Sequence, residues 1–286
     1  GLVGSEMCIR DRSWTAPLAG EHGGYIDPDA LTYEVYRLDG NIEPVEEPVK
    51  GISGTSCEMK CKMTDPQENS MWAVYALNDV GYSFGEASDM MTIGEPLAAP
   101  FRESFAGGAF ATLPWRLEMD ASDGSECRWE VNANASVLSP QDMDGGLLTF
   151  VPGKLFDACT LVSPKVSVKG ATSPTLEFWV YNNVNSPTEA RVYIDADHGE
   201  RQFIGIVESS SETVQDKTWT KVVIPLGDYV GNDFIQFYIK GISGAYNTPL
   251  FIDNIRIGGN YEKDLCVASI TAPFRIMTGE SRNVEV

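Results

Sequence analysis

The sequence predicts an all-β chain built from more than one sandwich, and three observations carry that prediction. Short runs that alternate apolar and polar residues recur about every dozen positions, separated by turn residues. No stretch keeps the 3.6-residue apolar period of an amphipathic helix. Two strand-like runs far apart, Phe101-Arg-Glu-Ser-Phe105 and Leu250-Phe-Ile-Asp-Asn-Ile-Arg-Ile257, each hold one acidic residue, Glu103 or Asp253. First and last strands of a β-sandwich often lie side by side, so these two carboxylates are candidates to meet at one hard cation such as Ca²⁺.

Composition sets the outer limits. The chain has 286 residues, enough for two ordinary domains, and 43% of them are hydrophobic, enough for a packed core. Its 21 basic and 41 acidic residues give a net charge of −20, with no Lys/Arg cluster to interrupt it. A nucleic-acid or anionic-membrane partner is therefore disfavoured. Most of the acidity reads as solvated surface and a handful as calcium ligands. No apolar run is long enough to span a bilayer. Two histidines in the whole chain, and Cys57-Glu-Met-Lys-Cys61 in place of a CxxC pair, argue against a zinc centre. Within one strand Cys57 and Cys61 stand too far apart for a disulfide, and Cys127 with Cys159 is the one pair worth considering.

Taken in order, residues 1–12 (GLVGSEMCIRDR) lack periodicity and join abruptly to well-patterned sequence. They resemble translated sequencing-adapter DNA and are set apart from the fold. Residues 13–93 carry Trp14-Thr-Ala-Pro17, strands at 31–37 and about 56–63, and the run 71–81. W-T-A-P, Y-E-V-Y-R and A-V-Y-A-L-N-D-V-G-Y-S resemble a fibronectin type III domain whose first strands fall where the adapter-like string sits, leaving a partial sandwich with an open sheet edge. Trp14, Tyr33, Tyr36 and Trp72 read as core and sheet-face packing. Residues 94–100, with two prolines and small residues, read as an inter-domain joint.

Residues 101–259 carry the clearest strands, at 176–181, 190–194, 203–207, 218–224, 234–239 and 250–257. Regular spacing without helical periodicity predicts a jelly-roll β-sandwich. F-R-E-S-F, Trp115 after Pro114, M-D-A-S-D-G, L-V-S-P-K-V, L-E-F-W-V-Y and F-I-D-N-I-R-I resemble, in order, the bacterial cleaved-adhesin domains, which are similar to MAM and choice-of-anchor jelly rolls. The resemblance implies a secreted or surface protein that binds matrix, sugars or other proteins. It also implies a structural ion at the positions of Glu103 and Asp253. Residues 264–286 resemble the first strands of a further Ig-like domain, too short to bury a core alone. The chain thus reads as a piece of a longer modular protein.

Four sites come with competing readings. Glu103 and Asp253 are a calcium pair or, alternatively, edge residues capping a turn. Asp120 and Asp123, in a loop without EF-hand spacing, either join that ion, hold another, or form an acidic surface turn. Asp195-Ala-Asp197-His198 invites an acid–base reading, but no nucleophile motif, G-x-S-x-G or HExxH accompanies it, so it reads as a strand-end turn. Among Trp129, Trp179, Tyr181, Tyr193, Trp219, Tyr229 and Tyr246, the strand tryptophans Trp179 and Trp219 read as core. Tyr229 and Tyr246, in Gly/Asn-rich loops, are the better candidates for a ligand-binding surface. The expected function is non-catalytic adhesion or ligand binding by a secreted or surface-anchored bacterial multidomain protein, with an extracellular protein or glycan as partner. The rivals are a carbohydrate-binding accessory module of a secreted hydrolase or protease, and a passive spacer.

Overall fold

In a computed structural model of the chain the described residues are 7–20, 22–62, 65–120, 124–133, 141–142, 144–181, 188–208, 218–244 and 248–261. They are all-β: a first module of two small sheets is followed by a jelly-roll β-sandwich, with three single-turn 3-10 segments and no α-helix. Residues 264–286, expected to begin a further domain, lie outside the described residues.

The first module contains β1 (Met7–Ser13), β2 (Thr32–Asp39), β3 (Val49–Ile52), β4 (Ser56–Lys62), β5 (Glu68–Leu77), β6 (Glu86–Ala87) and β7 (Met91–Ile93). Strands β3-β2-β5-β6, with β7 also paired to β5, form one sheet; β1 and β4 form a two-stranded one. Val35, Trp72 and Ile93 make a small buried core, and Cys57 of β4 packs against it. Trp14 meets Tyr33 edge-on at 5.1 Å, the packing role expected of both. One departure concerns the string set apart at the N-terminus. Its residues from Met7 onward pair antiparallel with β4, Met7 opposite Lys62 and Ser13 opposite Ser56. An open strand edge exposes a row of unpaired N–H and C=O groups, and this segment satisfies them.

After β8 (Leu97–Ala98) the second module contains β9 (Phe101–Glu103), β10 (Arg116–Asp120), β11 (Arg128–Asn132), β12 (Leu147–Val151), β13 (Ala158–Val162), β14 (Val166–Ser167), β15 (Ala171–Tyr181), β16 (Glu189–Ala196), β17 (Gln202–Glu208), β18 (Trp219–Pro225), β19 (Ile235–Ile242) and β20 (Leu250–Tyr261). In sheet I, β19 pairs on one side with β13 and β14 and on the other with β16; β10 flanks β13 and β17 flanks β16. In sheet II the order is β11-β12-β20-β15-β18, with β9 also on β20. Alternation decides which residues go inward. Leu176, Phe178 and Val180 of β15, Val192 and Ile194 of β16, and Phe237 and Ile239 of β19 are all at most 2% exposed and share one core.

The joint at 94–100 is no free linker. Its strand β8 pairs in parallel with β14, Leu97 opposite Val166, and so becomes an edge of sheet I. Cys127 and Cys159, the cysteine pair considered for a disulfide, are both buried free thiols.

Candidate binding face and carboxylate cluster

The first and last strands of the jelly roll do lie side by side. Strand β9 pairs antiparallel with β20, with Glu103 opposite Ile255. The Glu103 carboxylate is fully buried. It accepts hydrogen bonds from the backbone N–H of Phe105 (3.0 Å), Ala111 (2.9 Å) and Thr112 (3.0 Å) and from the Thr112 hydroxyl (3.0 Å). It therefore clamps the 105–112 loop, with most of its lone pairs already occupied.

Asp253 is equally buried but less well served. Its Oδ2 accepts from the Gln141 N–H at 2.7 Å and its Oδ1 from the Asn254 N–H at 2.7 Å. Burial first, then the like charges of Asp142 and Asp144, push its pKa up to about 7 despite those two bonds. Asn254, at φ 55°, sits where the β15–β20 register shifts, and its Nδ2 donates to Gln141 Oε1 at 3.1 Å. Arg102 donates to Asn254 Oδ1 and pairs with Asp142 at 2.9 Å. Asp142 and Asp144 are functional candidates that sequence reasoning missed. The signal available was the Asp-x-Asp-Gly run at 142–145, two acids at alternate positions before a glycine.

The other sequence-derived sites fall elsewhere. Asp120 stands on β10 in the opposite sheet and pairs with Lys240 at 2.8 Å, so it does not join Asp253. Asp123 and Tyr246 lie outside the described residues. Tyr229 packs against the core and its hydroxyl donates to Gln202 at 3.2 Å. Among the described residues no three His, Cys, Asp or Glu side chains gather as a metal-binding group. Asp197 caps the turn before β19, accepting from the N–H groups of Asp233 (3.0 Å) and Phe234 (3.2 Å), in keeping with a strand-end role.

Trp179 and Trp219 correct the sequence reading. Both are half-buried and neither belongs to the core, because the odd-numbered residues of β15 face away from it. On the outer side of sheet II, Tyr181 meets Trp219 at 5.5 Å and Phe251 at 6.3 Å.

A polar cleft lies on the outer face of sheet I. Core-facing Cys159, Leu161, Phe237 and Ile239 leave the intervening Thr160, Tyr238 and Lys240 pointing outward. With Glu118, Asp120, Tyr193 and Arg201 they line a cleft of about 340 Å³. Arg201 makes a two-pronged bond to Glu118, 2.7 Å on each side, while its guanidinium lies 3.9 Å over the Tyr238 ring. Arg116 also pairs with Glu118. Burial would raise the Glu118 pKa, but the bonds from Arg201 and Arg116 outweigh it and hold the carboxylate below its ordinary range. Beneath them the Tyr238 hydroxyl donates to the buried Asp195 carboxylate. Burial raises the pKa of both groups, and the charge of Asp195 adds to the rise at Tyr238. Asp195 Oδ1 and Arg116 Nε are buried without a hydrogen-bond partner among the described residues. Tyr193 and the exposed Phe203, 5.7 Å apart edge-on, extend the face onto β17. Ionic pairs Lys240–Asp120 and Arg191–Glu189 complete it, so each of its cations has an acidic partner.

No protein-family model matches the chain, and no curated protein matches it. Among solved structures, the K1 cleaved-adhesin domain of Lys-gingipain from Porphyromonas gingivalis W83 is 17% identical, with a TM-score of 0.41, over 57% of this chain and 99% of that one. The module TmCBM61 in complex with β-1,4-galactotriose is 16% identical with a TM-score of 0.41, covering 55% and 95% of the two chains. The family 11 carbohydrate-binding module of Clostridium thermocellum, in complex with a mixed-linked tetrasaccharide, is 12% identical with a TM-score of 0.35, over 57% and 98%. These likenesses are to β-sandwich domains and assign no function to this chain. No helix among the described residues is long and apolar enough to cross a membrane.

Proposed function

We propose that the chain is a non-catalytic binding piece of a secreted or surface-anchored protein, with the outer face of sheet I as its binding surface and a glycan as its ligand. The observation that carries this reading is the Arg201–Glu118 pair held over Tyr238 at the floor of an open cleft. A sugar offers vicinal hydroxyls to a fixed fork of donors and acceptors, and its apolar ring face to the half-buried Tyr193 that also lines the cleft. The resemblance to cleaved-adhesin domains agrees with an adhesive role, and an extracellular protein ligand is the second reading. That reading is favoured by the half-buried aromatic group of Tyr181, Trp219 and Phe251 on the outer side of sheet II.

Binding of the whole chain to a glycan array tests the proposal, with Arg201→Ala as the control variant. Sugar binding that Arg201→Ala removes supports it. Binding to no glycan, or glycan binding that survives loss of Arg201, sinks it; loss of protein adhesion on Trp219→Ala would move the reading to sheet II.

We further propose a structural calcium ion at Asp253. A buried carboxylate whose proton affinity is raised by burial and then by two neighbouring acids suits a hard cation, with carbonyl or water oxygens completing the shell. Glu103 then contributes through the loop it clamps more than through free oxygens.

A further inference from the structure

The contact between the two modules is polar, buried and directional. Thr92 of β7 and Lys165 just before β14 are both fully buried, and Gln236 of β19 is 1% exposed. Gln236 Nε2 donates to Thr92 Oγ1 at 2.8 Å and to the Ser163 carbonyl at 2.6 Å. Thr92 in turn donates to Asn69 Oδ1 at 3.0 Å, and Asn69 Nδ2 reaches the Trp115 carbonyl at 3.3 Å. A second strand-like clasp lies beside it. The Gln67 amide exchanges two bonds with the Lys165 backbone, donating at 2.9 Å and accepting at 2.7 Å, much as one strand residue does with another. The Lys165 ammonium donates to the Gly94 carbonyl and lies 4.8 Å from the Phe234 ring centre. The connector itself is hydrogen-bonded into sheet I, Leu97 N–H to the Lys165 carbonyl at 2.9 Å and Ala99 N–H to the Ser167 carbonyl at 3.1 Å.

We propose that this junction welds the two sandwiches into one cooperatively unfolding body, with Thr92–Gln236 as its central bond. Tandem modules usually move on a solvated linker. Here separation breaks bonds at several points at once, including a strand pairing that belongs to the jelly roll. The first module also has little to stand on alone. Its central cluster is only Val35, Trp72 and Ile93, and Trp14 Nε1 and Tyr33 OH are buried without hydrogen-bond partners among the described residues, beside a groove of about 550 Å³. It therefore draws its stability from the jelly roll. A satisfied polar network also fixes one orientation, whereas an apolar contact tolerates sliding. Gln236 Oε1 lies 3.4 Å from the Tyr238 hydroxyl oxygen on the same outer face of β19, so the weld ends beside the sheet I cleft. The coupling itself does not depend on what that cleft binds.

Hydrogen exchange read by mass spectrometry on the whole wild-type chain tests it, comparing peptides from β5 in the first module with those from β12 in the second. Matched opening rates within a factor of three, together with a single calorimetric transition, support the weld. Exchange of β5 more than tenfold faster than β12 in the wild type overturns it without any variant. Thr92→Val and Gln236→Leu should then speed β5 exchange at least tenfold while leaving β12 within threefold. Both variants leaving β5 unchanged would overturn the assignment of the weld to this bond. Should Gln236→Leu fail to fold, the isosteric Thr92→Val and the wild-type comparison still decide.

Discussion

Replacing Asp253 by Asn isolates the cost of one buried charge. In the folded chain the Asp253 pKa rises from 3.8 to about 7, chiefly through burial and then through Asp142 and Asp144. A rise of that size, at about 1.4 kcal/mol per tenfold in proton affinity, corresponds to roughly 4 kcal/mol of destabilisation by the ionised form. The direction follows from which state holds the proton. Between the ordinary value and about pH 7 the folded chain binds more proton than the unfolded one, so stability falls as pH rises through that window. Above it the full cost applies. Asn carries no charge but keeps one acceptor for the Gln141 or Asn254 N–H, and leaving the other N–H unmet returns about 1–3 kcal/mol. The expected net gain for Asp253→Asn in chelator at pH 8 is therefore about 1–3 kcal/mol, or several degrees in melting temperature for a domain of this size. At pH 5.5 roughly 2 kcal/mol of that cost remains, so the variant's advantage should shrink by about 2 kcal/mol, to near zero. The assay is thermal unfolding of both chains from pH 5.5 to 8 with chelator present. The difference between them cancels every titrating group not coupled to Asp253. A difference that stays constant with pH, or that favours the wild type more as pH rises, would refute the reasoning. Added Ca²⁺ at pH 8 should raise the wild-type melting temperature by mass action and leave the Asp253→Asn, Glu103→Gln double variant unmoved.

Two further outcomes rest on packing and bonding. Glu103→Ala strips the 105–112 loop of the carboxylate that receives its N–H groups and should cost about 3–5 kcal/mol, read as a lower urea midpoint at unchanged slope. Gly241→Ala places a methyl carbon 2.4 Å from the Phe150 ring, in a core with no room to give, and should lower stability by about 1–3 kcal/mol in the same assay.

The strands of the jelly roll were legible because alternation is a local signal. Leu176, Phe178 and Val180 could be recognised as one inward face, and each strand run set out along 176–257 overlaps one of β15 to β20, although β15 begins at Ala171 and β20 continues to Tyr261. What alternation leaves open is which face of a fully apolar strand points inward. Leu176-Glu-Phe-Trp-Val-Tyr181 offers a tryptophan to either choice, and only pairing with β18 and β20 settles that Phe178 enters the core and Trp179 does not. The strand within the connector was not legible for a related reason. Leu97 and Ala98 have no pattern of their own, and become a strand only because β14 offers an edge.

The candidate face was hidden more deeply, because its charges are arranged in space and are scattered along the chain. Glu118 and Arg201 are 83 positions apart, and Asp120 and Lys240 are 120 apart, so neither pair leaves a mark on composition or spacing. A net charge of −20 suggests an acidic surface throughout, yet on this face each cation stands against an acid. That local balance bears on ligand choice. The donors and acceptors of the face are already oriented by one another, so an uncharged, hydroxyl-rich ligand finds pre-set partners without having to break a field of one sign. A strongly anionic ligand would meet the repulsion of the surrounding chain and the carboxylates of Glu118 and Asp120 at the cleft itself. The same pairing that made the face invisible in the sequence is what the proposed neutral sugar ligand would meet.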